Sequence, residues 1–522
     1  MLTFINLFAI LLGLGVLIFA ASLLFFCFVL SRYEFWREDS FLRRLVLNLL
    51  IGLIFLVTII YLSQWIPSIM DLEDNTMDVV MDVYSSDIPP RPENIPPFVL
   101  LDVDNETFLH WGEPALTPRD NLTHLIDVAV QAKARLIVVD IDVSQPIPTD
   151  KKEQLFANDQ KLASYLKNYI NRCQTEEDKS TCPPIIMVRA LSEPATDSTP
   201  AKPRLGFLEE VVTPKAAPYV QWATAQFLFS GGVLRHWRLW EPICTENQQT
   251  KQLEPGIVPS IELLVTAMLK ECTADMYAAL AAIQPQDCSS NTVSSATLSI
   301  CGLTLSTANQ TVEQRIMYRI PWSVNDEDPK LPHTVYDNYR IPLLTILAAK
   351  DYAKASPQVS TELLTDSLVM IGGSYGLDGK SDTFETPIGD MPGAQVIINS
   401  IYSLLHNLTI KPVSYLTWYG IGVAVLFIII ITAHSYFVPK IIAKLGDWIG
   451  WTIWALGWIV IIIIVGGLFY YSLVLFEDGT WLNIAVPLVI IKIYQFFAQK
   501  TLPKGVTKIF QWCHKSPDNQ VE

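Results

Sequence analysis

The chain has 522 residues, half of them hydrophobic and 17% charged, with a formal net charge of −15. That composition suits an integral membrane protein carrying a substantial soluble part. The acidity excludes a nucleic-acid partner, because phosphate binding needs a basic face, and it reads instead as solvated surface.

Five stretches approach the ~20 apolar residues that a bilayer-crossing helix needs: 8–30, 45–65, 413–432, 451–473 and 481–497. The last carries Pro487 and Lys492, a lysine able to snorkel toward an interface. Lys and Arg placement sets the orientation. Arg32, Arg37, Arg43 and Arg44 lie between the first two stretches, Lys440 and Lys444 after the third, and Lys500, Lys504, Lys508 and Lys515 after the fifth. The expected topology is N-terminus out and C-terminus in, with the large central block outside the cytoplasm. Six cysteines fall in that block: Cys173, Cys182, Cys244, Cys272, Cys288 and Cys301. An even number in an oxidising compartment predicts disulfides. Cys173 and Cys182 are the expected pair, since a polar loop separates two structured segments there. The pairing of the other four stays open.

Beyond the second stretch, Ile69, Leu72, Thr76, Val79 and Val83 recur at three- and four-residue spacing, while Asp71, Asp74, Asp78 and Asp82 mostly take other faces. This predicts a helical stalk, broken by the prolines after Ile88. Residues 98–103 read as a strand, followed by Asp104. A helix with Thr117 as N-cap and Pro118 in its first turn runs to about residue 133. A second strand over 135–143 ends in Asp140 and Asp142. Strand, helix, strand at this spacing is a βαβ unit with parallel strands. A charged helix over 148–169, a strand over 183–191 and an irregular excursion over 191–216 follow. Next come a half-exposed strand over 233–240 and a helix opening at Pro259 and Ser260. A second excursion covers 273–312, then a strand over 312–320 and a short helix over 341–350.

The chain is organised around residues 367–405. An apolar run over 368–371 reads as a buried strand. A turn at Gly372 and Gly373 leads into a polar loop holding Asp378, Asp382, Thr386 and Pro387, and Pro392-Gly393 opens an apolar-periodic helix. The spelling Gly372-x-Ser374-x-Gly376 is not a nucleophile elbow, which must run straight into a helix. No enzyme is expected, and no catalytic residue is named.

The order strand, Ile-Gly-Gly-Ser, Asp, Thr-Pro, Pro-Gly, helix resembles the end of the CHASE-two domain, an extracellular sensor of bacterial cyclases and kinases. Asp102-Val103-Asp104, Arg119 and Asp140 resemble its first βαβ unit, Met81-Asp82-Val83-Tyr84 the acidic end of its stalk, and Tyr318-Arg319 a later strand. The resemblance implies an α/β periplasmic sensor domain with a parallel or mixed sheet, here joined to a transmembrane bundle of five helices. The expected layout is two membrane helices (1–66), a helical stalk and Pro-rich linker (67–97), the sensor domain (98–411), three membrane helices (412–498) and a short basic tail (499–522). The tail leaves no room for an output domain, so the expected role is a sensor of the bacterial inner membrane that relays a periplasmic signal to a separate protein. The alternative is a structural or docking subunit of an envelope or secretion complex. Ligand-binding candidates are Asp102, Asp104, Arg119, Asp140, Asp382 and Thr386. No cofactor is firmly implied, and a divalent cation stays open, since hard cations take several carboxylate oxygens. Expected partners are the lipid bilayer and a membrane or envelope protein, with homo-oligomerisation open.

Overall fold

The computed structural model describes residues 67–85, 88, 91 and 95–406 apart from several loop segments, together with isolated positions at 41–49 and 411–481. The chain divides into two compact units, one of residues 1–73, 413–477 and 481–522, the other of residues 74–412 and 478–480. In the first, Asn48 Nδ2 donates to Thr432 Oγ1 at 2.9 Å, and the Phe41 ring packs on Tyr436 and Phe437. The expected five-span bundle does not hold as the fold class: among the described residues no helix is long and apolar enough to cross a membrane. The five apolar stretches themselves lie almost wholly outside the described residues. The longest described helices, Pro67–Ser85 and Lys152–Thr175, are rich in charged side chains. The observed architecture is a mixed α/β domain.

The stalk helix α1 (Pro67–Ser85) precedes strand β1 (Phe98–Val103), the one-turn α2 (Asn105–His110), α3 (Arg119–Gln131), β2 (Leu136–Val139), α4 (Lys152–Thr175) and β3 (Ile185–Val188). Then come β4 (Val220–Ala223), the hairpin β5 (Phe227–Ser230) and β6 (Val233–Trp237), and the hairpin β7 (Trp240–Glu246) and β8 (Leu253–Pro259). Helices α5 (Ile261–Leu269) and α6 (Thr273–Ile283) and the hairpin β9 (Thr297–Ile300) and β10 (Leu303–Ser306) follow. The last part holds β11 (His333–Tyr336), β12 (Pro342–Ala348), α7 (Ala349–Tyr352), β13 (Leu368–Gly373), the hairpin β14 (Thr383–Thr386) and β15 (Gly389–Pro392), and α8 (Gly393–Leu405).

Seven strands form the central sheet in the order β11-β12-β1-β13-β2-β3-β4, all parallel except the edge strand β11. Parallel strands covered on both faces become continuous apolar runs, as in FVLLDV, LIVV and IIMV. On one face Val99, Leu101, Ile137, Val139, Val369 and Ile371 pack with Leu122, Leu125 and Ile126 of α3 and Leu162 and Leu166 of α4. Strand alternation turns Leu100, Asp102, Val138, Met370 and Gly372 to the opposite face, where α8 lies fully buried and packs on α5.

Several elements differ from the sequence reading. Residues 342–348 form β12, paired in register with β1 (Phe98 opposite Leu344), rather than a helix. A short apolar run carries no period that separates the two states, and the pairing with β1 decides. The stretch 233–240 splits between β6 and β7. The excursion 273–312 contains α6 and the β9–β10 hairpin. Residues 317–320 are not a regular strand: Asn399 Oδ1 of α8 accepts from the backbone N–H of Arg319 and Ile320 at 3.0 and 2.9 Å, and its Nδ2 donates to Ile320 O at 2.9 Å. Pro118, not Thr117, is the N-cap of α3. Helix α4 runs later than expected, to Thr175, and β2 stops at Val139.

The six cysteines pair as Cys173–Cys182, Cys244–Cys288 and Cys272–Cys301, with Cα separations of 5.7, 5.7 and 5.6 Å. The first is the expected pair. The other two close the region around α6.

Candidate functional site

The carboxyl ends of β1, β13 and β2 meet the start of α8. Asp102 pairs in register with Gly372, and Asp140 N–H donates to Ile371 O on the other side of the same strand. Two acids therefore flank a glycine on one face of the sheet. At a strand spacing of about 4.8 Å their backbones lie roughly 10 Å apart. A Cβ on Gly372 would come within 2.7 Å of Ala394 Cβ, so glycine is what lets the first turn of α8 descend between them.

Asp102 is 1% exposed. Its Oδ2 accepts from Ser374 Oγ at 2.5 Å, and its Oδ1 has no hydrogen-bond partner. Burial pushes its pKa up to about 7, against the pull of the Ser374 hydrogen bond and with a further push from Asp104. Asp140 is raised to about 7 as well, by burial and then by the negative charge of Asp382. Asp382 is an exposed residue, yet its carboxyl is also raised, by desolvation of the part turned toward the α8 N-terminus. Its carbonyl accepts from Gly393 N–H at 2.9 Å, and its Oδ2 lies 2.6 Å from where a Gly393 Cβ would stand. Tyr375 stacks on Phe108, ring centroids 4.5 Å apart, and its pKa is raised by burial and then by Asp382. The arrangement is two arms, Asp102 with Ser374 and Asp140 with Asp382, on either side of the α8 N-terminus.

The remaining sequence candidates stand elsewhere. Asp104 caps α2, accepting from Thr107 N–H at 2.7 Å. Arg119 lies on the opposite face of the sheet, buried against Asp159 of α4 at 3.2 Å and donating to the carbonyls of Thr117 and Val143. Thr386 closes the β14–β15 turn by donating to Gly389 O. Among the described residues no group of three His, Cys, Asp or Glu side chains could hold a metal. The reason is the spacing: Asp102 and Asp140 sit two strands apart with Ala394 over the gap, whereas a hard cation needs its oxygens within about 2.6 Å.

Sequence reasoning missed Ser374 as the partner of Asp102, and Tyr375. Their position just past a buried strand, opposite another strand ending in carboxylates, is the signal that points to them. A second polar assembly was missed entirely. Arg235 donates to Asp78 (Nη2–Oδ2 2.6 Å) and Asn75 (2.9 Å), Arg315 is paired with Asp74 and Asp78, and Ser230 Oγ donates to Asp74 at 2.6 Å. The stalk thus turns Asp74 and Asp78, with Met77, Val80 and Met81, toward the domain, leaving Val79, Asp82 and Val83 exposed. Val79 and Val83, assigned to the apolar face from sequence spacing, therefore face outward.

A parallel-rich α/β sheet with ionisable groups gathered at its carboxyl edge, beside a helix N-terminus, has the layout of a ligand-binding module. Residues 52–438, most of the chain, match the CHASE2 domain, and the chain belongs to that family. CHASE2 domains are periplasmic sensor domains. No curated protein and no solved structure matches the chain.

Proposed function

We propose that the domain senses a small polar molecule in the periplasm of a bacterial cell, at the inner membrane, by binding it at the Asp102–Ser374 and Asp140–Asp382 arms, and that binding is relayed to a separate protein. The observation that carries this reading is geometric: Asp102, 1% exposed with its Oδ1 unpartnered, and the partly buried Asp140 flank Gly372 at one helix N-terminus, and burial raises both toward about 7. Acids shifted by burial and gathered at the carboxyl edge of a parallel sheet are binding-site candidates. A hard cation wants six to eight oxygens, so two separated arms favour a ligand that brings its own donors over a bare ion. The proposed role is binding, not catalysis, since the chain after Ser374 enters the short strand Gly376–Leu377 rather than the helix that presents a nucleophilic serine.

The test is a thermal-shift screen of the full chain against small amines, amides, sugars and divalent cations, repeated with Asp102→Asn and Asp140→Asn. A compound that raises the melting temperature of the parent and fails with either variant supports the site. Compounds that act equally on all three refute it.

A further inference from the structure

We propose that the β5–β6 hairpin is a lever that couples the Asp140–Asp382 arm to the stalk helix α1, so that the state of that arm sets how firmly α1 is held. The proposal rests on the ligand-site reading above and adds its route to the stalk.

The route is continuous. Asp382 is anchored at the α8 N-terminus through Gly393 and leads directly into β14. Phe384 of β14 packs on Phe229 of β5 with ring centroids 5.8 Å apart, and β14 runs alongside β6. Phe229 sits at an irregularity in the β5–β6 pairing, between Leu228 and Phe229; a bulge of this kind re-aims a side chain. The hairpin closes through Gly231 and Gly232 at φ +61° and +88°, the paired positive values of a tight two-residue turn. Beside Phe229 at the turn end, Ser230 holds Asp74, and on the facing strand Arg235 holds Asn75 and Asp78. Arg315 joins the hairpin through a backbone bridge to His236 and pairs with the same two aspartates.

The clamp has the properties of a two-position device. Arg235 and Arg315 are 2% and 0% exposed, and a buried arginine tolerates exchange of its carboxylate partner but not its loss. Asp74, Asp78 and Asp82 follow one another at four-residue intervals on α1. A slip of one helical turn, about 5.4 Å, replaces Asp74 and Asp78 with Asp78 and Asp82 and leaves each arginine a carboxylate. Such one-turn steps between packed elements are a known form of switching.

The test is amide hydrogen exchange over residues 74–85 of the full chain, in the parent, Asp382→Asn, Phe229→Ala and the double variant. Phe229 is 46% exposed, so its truncation leaves the core in place. Neutralising Asp382 removes the like charge facing Asp140 and is expected to slow α1 exchange about fivefold or more, the low end of ordinary coupling between sites. With Phe229→Ala the same neutralisation is expected to change α1 exchange less than about twofold. Exchange that ignores Asp382→Asn, or responds equally with and without the Phe229 ring, overturns the lever. The ligand screen judges the site independently: a compound lost in Asp140→Asn with no non-additivity at α1 removes the coupling alone. Non-additivity with no such compound removes the ligand reading alone.

Discussion

Replacing Asp102 with Asn tests the central physical claim, that this carboxyl is held uncharged by burial. A carboxyl whose folded pKa is raised stabilises the fold fully below its unfolded pKa, and that contribution is lost as pH rises through the folded value. For Asp102 the window runs from the ordinary 3.8 to about 7. Each unit is worth about 1.4 kcal/mol, so between pH 5 and pH 8 the parent loses roughly 3 kcal/mol through this one group. Asn cannot ionise and loses none of it. It keeps a carbonyl to accept from Ser374, and its amide replaces the unpartnered Oδ1. Burying that amide costs about 1–3 kcal/mol, equally at both pH values. The variant is therefore expected to be weaker than the parent at pH 5 and to recover by about 3 kcal/mol relative to it at pH 8. Thermal unfolding of the full chain at the two pH values reads this as a relative shift of several degrees. Asp140 and Glu262, also raised by burial, contribute to both proteins and cancel in the comparison. Parallel loss of melting temperature in parent and variant would show that Asp102 is already charged in the fold and defeat the reasoning.

Two further outcomes follow from the geometry. Gly372→Ala sets a methyl group 2.7 Å from Ala394 Cβ, and because both are fixed to backbone, the expected loss is about 1–3 kcal/mol of stability by thermal unfolding; an unchanged melting temperature would show that α8 does not depend on that close approach. Removing Cys244 and Cys288 together opens a loop of 44 residues and is expected to cost about 4 kcal/mol, against about 3 kcal/mol for the nine-residue loop of Cys173–Cys182. Non-reducing peptide mapping checks the three bridges directly, and free thiols at these positions would contradict them.

The parts of the fold governed by local pattern were legible. The strands at 98–103 and 368–371, the latter running on through the expected turn to Gly373, the intervening parallel βα unit and the helix opening at Gly393 each carry an apolar run bounded by turn residues. Asp102, Asp140 and Asp382 are singled out in the sequence because they sit at or just past expected strand ends, and the structure brings them to one edge of the sheet. What sequence spacing could not give was partnership across distance. Arg235 lies in a strand whose alternation reads as half exposed, yet it is buried because Asp78, 157 residues earlier in the chain, meets it. Arg119 looked like a site residue and is consumed by Asp159 on the other face of the sheet. The strand at 342–348 was read as a helix because its only distinguishing feature is the neighbour it pairs with.

The acids of this domain divide by environment, and the division supports a binding role for one group. Asp337 is held below the ordinary carboxylate range: a burial cost is outweighed by the backbone N–H groups of Ile341, Arg91 and Tyr339, with Arg91 also adding its charge. Asp104 spends its carboxylate on a helix cap. Those are acids that organise the chain, and the chain satisfies them. Asp102 and Asp140 are the opposite case, pushed up by burial and given few partners. An uncompensated buried acid lowers stability, and either position could be filled by an apolar residue like the Leu100 and Val138 that precede them on the same face. In its charged form such a group, with few partners inside the fold, regains that free energy when a partner from outside donates hydrogen bonds or positive charge to it.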